Sequence, residues 1–242
     1  MATVILVRHG RTDANATGLL AGRQKGVHLD DVGKEQAARA GERLAGTRLA
    51  RLVTSPLERT RETAAAIARA QATPLRPVSE RRLLECDYGE WQGRPIKELA
   101  KDKLWKTVQH QPSAMTFPGG ESMRSVAARA ADAVRRHDAE VTAEHGSGAV
   151  WAAVSHGDVI KTIVGEALGQ PLDLFQRIVV DPGSITVVHY AADRPFVLAT
   201  NTHVGDVAAW TPTRGRGRSV RRATSDAVVG GGAGPVPPGR RS

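Results

Sequence analysis

The sequence predicts an α/β fold, a three-layer α/β/α sandwich with a mostly parallel central sheet. Three observations carry that expectation. Short apolar runs at 4–7, 49–53 and 149–154 alternate with longer stretches of helical spacing. This is the rhythm of a sheet covered by helices on both faces. Two of the runs end in a histidine followed by a glycine, at Arg8-His9-Gly10 and Ser155-His156-Gly157. Finally, 242 residues with 40% hydrophobic content can bury one large core or two small ones.

The first strand, Val4, Ile5, Leu6 and Val7, runs without a polar break into Arg8 and His9. Open sheets place ligands at the carboxyl ends of their strands, so this pair is a candidate site. Gly10 lets the backbone turn sharply beside it. Residues 13–27 read as a polar loop with Gly18, Gly22 and Gly26. A helix over 31–45 follows, with a weak apolar face of Ala37, Ala38, Ala40, Leu44 and Ala45. The strand at 49–53 ends in Thr54-Ser55-Pro56, and Pro56 suits the first turn of a helix over 57–70. Arg59 and Arg61 near its start oppose the helix dipole unless something negative sits nearby.

Residues 75–78 read as a short edge segment, and 82–93 as an acidic loop carrying Glu85, Asp87, Glu90 and two aromatics. Residues 96–118 read as one or two short helices and coil covering the sheet. Lys97, Lys101, Lys103 and Lys106 form the solvated face of that cover. Ser122 suits the N-cap of a long helix running to about 144. The strand at 149–154 leads through 155–158 into a helix over 159–168, then a short helix over 172–178. Strands at 184–190 and 196–200 form a closing hairpin through Ala192-Asp193-Arg194.

No apolar run approaches the ~18 residues of a membrane span, so no membrane partner is expected. The chain enters a strand without a basic leader, and one cysteine, Cys86, allows neither an internal disulfide nor a CxxC motif. Both point to the cytoplasm. The net charge of +9 invites a nucleic-acid reading, but residues 211–242 hold seven arginines against one aspartate. Most of the basicity therefore belongs to that Gly, Pro and Arg-rich stretch, which cannot bury a core and is expected to be disordered. The catalytic domain is expected over 1–210. The tail's Arg-Gly alternation resembles flexible nucleic-acid-binding segments, yet it has almost no aromatics for stacking. A nucleic-acid partner is the lesser alternative. No interface signature reveals an oligomeric state.

On a parallel sheet, strand ends share one edge. Arg8-His9, Arg59 and His156 can meet there, although 147 residues separate the two histidines. Guanidinium groups bind phosphate oxygens bidentately and neutralise a transferring phosphoryl group without a metal ion. A histidine nitrogen is a competent nucleophile towards phosphorus. A carboxylic acid such as Glu85 or Glu90 can protonate the leaving alcohol and later activate water. A metal site built from His9, His156 and Glu85 would face repulsion from the flanking arginines, and no HxxxH-like spacing supports it. No metal or cofactor is expected.

Five stretches together resemble the histidine phosphatase superfamily, also called phosphoglycerate mutase-like, in that family's order and spacing. They are Leu6-Val7-Arg8-His9-Gly10-Arg11-Thr12, Ser55-Pro56-Leu57-Glu58-Arg59-Thr60, 84–93, Gly119-Gly120-Glu121-Ser122 and Val154-Ser155-His156-Gly157. The resemblance implies that His9 becomes a phosphohistidine, that Arg8, Arg59 and His156 hold the phosphoryl oxygens, and that Glu85 is the proton donor. It places the Asn15 side chain, the Gly22 backbone and the Gly157 N–H at the substrate. The chain departs from the family at Ala21, where many mutases carry a hydroxyl residue, and at 27–31, which replaces a Pro-Leu-Thr run. Residues 94–118 lack the adjacent arginine pair with which glycerate mutases hold a carboxylate. These departures favour a phosphomonoesterase acting on a small phosphate ester, with phosphomutase as the alternative.

Overall fold

The computed structural model describes residues 1–203. Its centre is one six-stranded sheet made of β1 (Thr3–Arg8), β2 (Leu49–Thr54), β3 (Val78–Ser79), β4 (Val150–Ser155), β5 (Ile185–Tyr190) and β6 (Pro195–Thr202). The strand order is β3-β2-β4-β1-β5-β6. The β1–β4, β2–β4 and β2–β3 pairings are parallel, and only the pairings of β5 are antiparallel. The expected mostly parallel sheet is present, with the closing hairpin at one edge.

Alternation along the strands explains the three layers. Val4 and Leu6 join a core with Trp151 and Ala153. Ile5 and Val7 point the other way, into a core with Ala152 and Val154. Successive residues therefore serve opposite faces of the sheet, and both faces must be covered. The helices α2 (Asp31–Leu44) and α3 (Glu58–Ala70) cover the second face through Ala40, Leu44, Ala64 and Ile67. The first face takes α6 (Met123–His145) and α7 (Gly157–Ala167) through Val126, Ala130, Val134, Ile160 and Ile163. The short helices α4 (Ile96–Leu99) and α5 (Trp105–His110) pack beside that core, where Trp105 stacks on Trp91 at 6.1 Å.

The structure corrects several expectations. Residues 13–27 are not all loop, because Asp13–Thr17 form a one-turn helix, α1. Thr12 and Asn15 make a reciprocal capping box, and Gly18 closes the turn in the left-handed region at φ 72°. Five residues are too few to show helical periodicity. Pro56 is not in the first turn of α3, whose N-cap is Leu57. The helix expected from 159 begins two residues earlier, at Gly157, and Leu172–Arg177 is a 3₁₀ rather than an α-helix. Ser122 does cap α6, accepting from the Ser125 N–H at 3.1 Å. The 1–210 domain boundary and the 211–242 tail lie outside the described residues. Among the described residues no helix is long and apolar enough to cross a membrane.

Where β1 leaves the sheet, its backbone runs against the first turn of α2. A Cβ on Gly10 would sit 2.2 Å from the Gly33 carbonyl oxygen, and one on Gly33 would sit 1.9 Å from the Arg11 carbonyl oxygen. Both obstacles are backbone, so neither can swing away. Gly10→Ala is expected to cost ~3 kcal/mol or more, read as a lowered urea midpoint with an unchanged slope.

Candidate active site

Sheet register builds the site. Arg8 at the end of β1 pairs with Ser155 at the end of β4, and Thr54 at the end of β2 pairs with Val154. The residues that follow these strand ends, His9, Ser55 and His156, therefore emerge along one edge. Arg59, in the first turn of α3, is brought to them by the β2–α3 connection. Arg8, His9, Ser55, Arg59, Glu85 and His156 are all buried.

The hydrogen bonds fix both imidazoles. His9 Nδ1 lies 2.7 Å from the Gly10 carbonyl oxygen, which only accepts, so Nδ1 carries the proton. The lone pair is left on Nε2, which accepts from Arg59 Nε at 3.2 Å. His156 Nδ1 faces Arg59 Nη2 at 3.3 Å, and its Nε2 contacts Ser55 Oγ at 2.8 Å. Guanidinium only donates, so His156 donates from Nε2 to the serine. The two rings meet edge to face at 5.3 Å. Burial, then the Arg59 charge, holds both histidines well below the usual imidazole range, with Arg8 acting in the same direction. Both are neutral, and His9 presents an unprotonated nitrogen.

Positive charge is concentrated around them. Arg59 Nη2 donates to the Gly22 carbonyl at 2.7 Å, and Arg8 Nη1 donates to the Val180 carbonyl at 2.6 Å. Burial pushes the Arg59 guanidinium down to about 10, still charged at neutral pH. Its Nη1 is buried with no hydrogen-bond partner among the described residues. Neither α3 nor α7 has a side-chain cap, and a Cβ on Gly157 would meet the Arg8 guanidinium at 3.4 Å. The open N-terminus of α7 thus lies against Arg8. An orphaned guanidinium nitrogen and an uncapped helix start call for an anion.

Glu85 supplies the acid of the cluster. Burial, then the Asp158 carboxylate, pushes its carboxyl up to about 7, with Arg59 and Arg8 pulling the other way. Its Oε1 accepts the Cys86 N–H at 3.0 Å, and Tyr88 donates its hydroxyl to Asp158 at 2.8 Å. Glu90 is exposed, which separates the two acids left open by the sequence. Arg8, His9, Arg59, His156 and the backbone of Gly22 and Gly157 thus come together, with Glu85 in their field. Asn15 is the exception, since its side-chain oxygen is engaged by the Thr12 N–H and hydroxyl at 3.1 and 3.0 Å. Lys97, Lys101, Lys103 and Lys106 are exposed, in line with a solvated cover. Among the described residues no three His, Cys, Asp or Glu side chains are grouped as metal ligands. Sequence reasoning assigned no role to Ser55, Asp158, Tyr88, Arg23 or Arg129.

The family model of the histidine phosphatase superfamily (branch 1) matches residues 4–203. The chain belongs to that superfamily. Phosphoserine phosphatase 1 of Hydrogenobacter thermophilus is 31% identical over an alignment of 213 residues that covers 85% of this chain and 96% of that protein. The probable phosphoglycerate mutase GpmB of Yersinia enterocolitica is 31% identical over 78% of this chain and 86% of its own length. Among solved structures, Bacillus stearothermophilus YhfR matches with a TM-score of 0.72 at 27% identity, covering 82% of this chain and 96% of that one. The histidine phosphatase fold expected from the sequence is borne out, as is the enzyme class, phosphoric monoester hydrolase.

Proposed function

We propose that this histidine phosphatase is a metal-independent phosphomonoesterase that acts on a small phosphorylated metabolite through a phosphohistidine on His9. The observation that carries the reading is the unprotonated Nε2 of His9, held by the Nδ1 bond to Gly10 and ringed by Arg8, Arg59 and His156. In the first half-reaction Nε2 attacks phosphorus and the P–O bond to the alcohol breaks. The departing oxygen takes the proton of Glu85. In the second half-reaction water attacks the phosphohistidine, Glu85 accepts the water's proton, and phosphate leaves. Arg8, Arg59 and the N–H groups at the start of α7, Gly157 among them, neutralise the phosphoryl oxygens throughout, and His156 lines the same pocket beside Arg59. Two guanidinium charges do the work that a cation would otherwise do, and they would repel one.

Gly22 contributes its backbone to the phosphate side of the pocket, and Asn15 its side chain, on turning from its cap. The catalytic unit is proposed to span 1–210 and to work in the cytoplasm, with 211–242 outside it. A phosphomutase shares the first half-reaction and returns the phosphoryl group to the substrate instead of water. The likeness to a probable phosphoglycerate mutase is what supports that second reading. Phosphorylated metabolites, including phosphoserine and 3-phosphoglycerate, incubated with the purified protein separate the two. Free phosphate is the expected product, and an isomeric ester without free phosphate overturns hydrolysis.

A further inference from the structure

A general acid is aimed only as well as the backbone that carries it. Glu85 lies between two 3₁₀ turns, Arg81–Leu83 and Gly89–Trp91, in a stretch without regular structure of its own. Two guanidinium groups from distant parts of the chain converge on its carbonyl oxygen, Arg23 through Nε at 2.8 Å and Arg129 through Nη2 at 3.1 Å. Both then close on one carboxylate. Glu121 Oε2 accepts Arg23 Nη2 at 2.7 Å and Arg129 Nη2 at 3.0 Å, and Oε1 accepts Arg129 Nε at 2.9 Å. The same Oε2 takes the Asp87 N–H at 3.1 Å, while the Glu121 N–H donates to the Asp87 carbonyl at 2.8 Å. Arg129 Nη1 also grips the Arg82 carbonyl at 2.6 Å. The backbone is thereby held at 82, 85 and 87, on both sides of the acid.

The cluster reaches the phosphate clamp as well. Arg23 follows Gly22, whose carbonyl takes Arg59, and the Arg23 N–H is fixed on Gln92 Oε1 at 2.6 Å. One guanidinium thus links the loop that holds Arg59 to the loop that carries Glu85. Arg23 and Arg129 differ from ordinary surface ion pairs in that their donors converge on the peptide oxygen of the acid itself. Planar guanidinium forks make such geometry specific where a lysine would not.

We propose that Arg23, Glu121 and Arg129 are positioning residues that hold the Glu85 backbone and so aim its carboxyl at the departing oxygen. The proposal rests on Glu85 being the acid. The two ideas separate by leaving group, because an aryl phosphate such as p-nitrophenyl phosphate expels a stable anion unprotonated, whereas glycerol phosphate needs the proton. The readout is the alkyl-to-aryl ratio of kcat/KM, which reports P–O cleavage and not later steps. Glu121→Gln sets an amide N–H₂ against guanidinium donors in either flip, and Arg23→Gln removes one grip from a side chain that is partly exposed. Both variants are expected to lower the ratio ~10-fold, and Glu85→Gln ~100-fold or more.

A purely structural role depresses both substrates together and leaves the ratio where it was. If Glu85→Gln lowers the ratio and neither cluster variant does, the positioning role is overturned. If Glu85→Gln itself leaves the ratio unmoved, Glu85 is not the acid and the proposal falls with it. Thermal melts of each variant guard against misfolding, and the two cluster variants act from different loops, so loss of one to instability leaves the other to decide.

Discussion

His9→Ala is expected to lower kcat towards any phosphate monoester by on the order of 10⁴-fold or more, while the protein still folds. The size follows from what alanine removes. It deletes the attacking atom itself, the Nε2 left unprotonated by the bond from Nδ1 to the Gly10 carbonyl. His156 is held differently, donating from Nε2 to Ser55 with its Nδ1 beside Arg59 Nη2. Folding survives because His9 is neutral in the native protein, so no buried charge loses its counterion. Arg59 Nε loses an acceptor but keeps its sister contact to the Gly22 carbonyl. The activity test pairs with a trapping test, in which wild-type protein quenched during turnover carries an acid-labile, base-stable phosphate on His9 and the variant carries none. Full activity in His9→Ala would sink the assignment.

What the sequence made legible follows from how local each signal is. A buried strand advertises itself within four residues, as 4–7 does, and two histidines after two such strands can be matched without knowing any distance. Strand order could then be left to the sheet, since parallel strands must end on a common edge. The capping turn at Thr12–Asn15 escaped because one helical turn has no period to detect. The Arg23–Glu121–Arg129 cluster escaped for a different reason. Arg23 and Glu121 are 98 positions apart and Arg23 and Glu85 are 62 apart, and among 34 basic residues no local pattern marks an arginine that will reach a distant carbonyl. Ser55 lies in the Ser55-Pro56-Leu57-Glu58-Arg59-Thr60 motif, yet its bond to His156 spans 101 positions. Folding supplies such pairings, and short-range patterns do not.

The titration of Glu85 belongs to that long-range class and carries the second large prediction. Its carboxyl is pushed from an ordinary 4.5 to about 7 by burial and by Asp158, so the acid is protonated where it must act. kcat/KM is expected to be level below about pH 7 and to fall above it, as ionised Glu85 can no longer supply the proton. Glu85→Gln is expected to abolish that limb and to cost 10²- to 10⁴-fold, an order of magnitude typical of a lost general acid.

The same shift makes a claim on stability with the opposite sign. The native state binds this proton more tightly than the unfolded chain does. Rising pH therefore erodes stability between about 4.5 and 7, and above 7 the whole difference is lost. That difference corresponds to about 3 kcal/mol. Glutamine never ionises, so relative to wild type the variant gains about that much at pH 8 compared with pH 4. Urea denaturation at the two pH values measures it. A variant that is inactive yet more stable at high pH places the carboxyl's strain in the service of catalysis. An equal stability difference at both pH values would mean that the buried acid titrates elsewhere and that the proton donor must be sought on another residue.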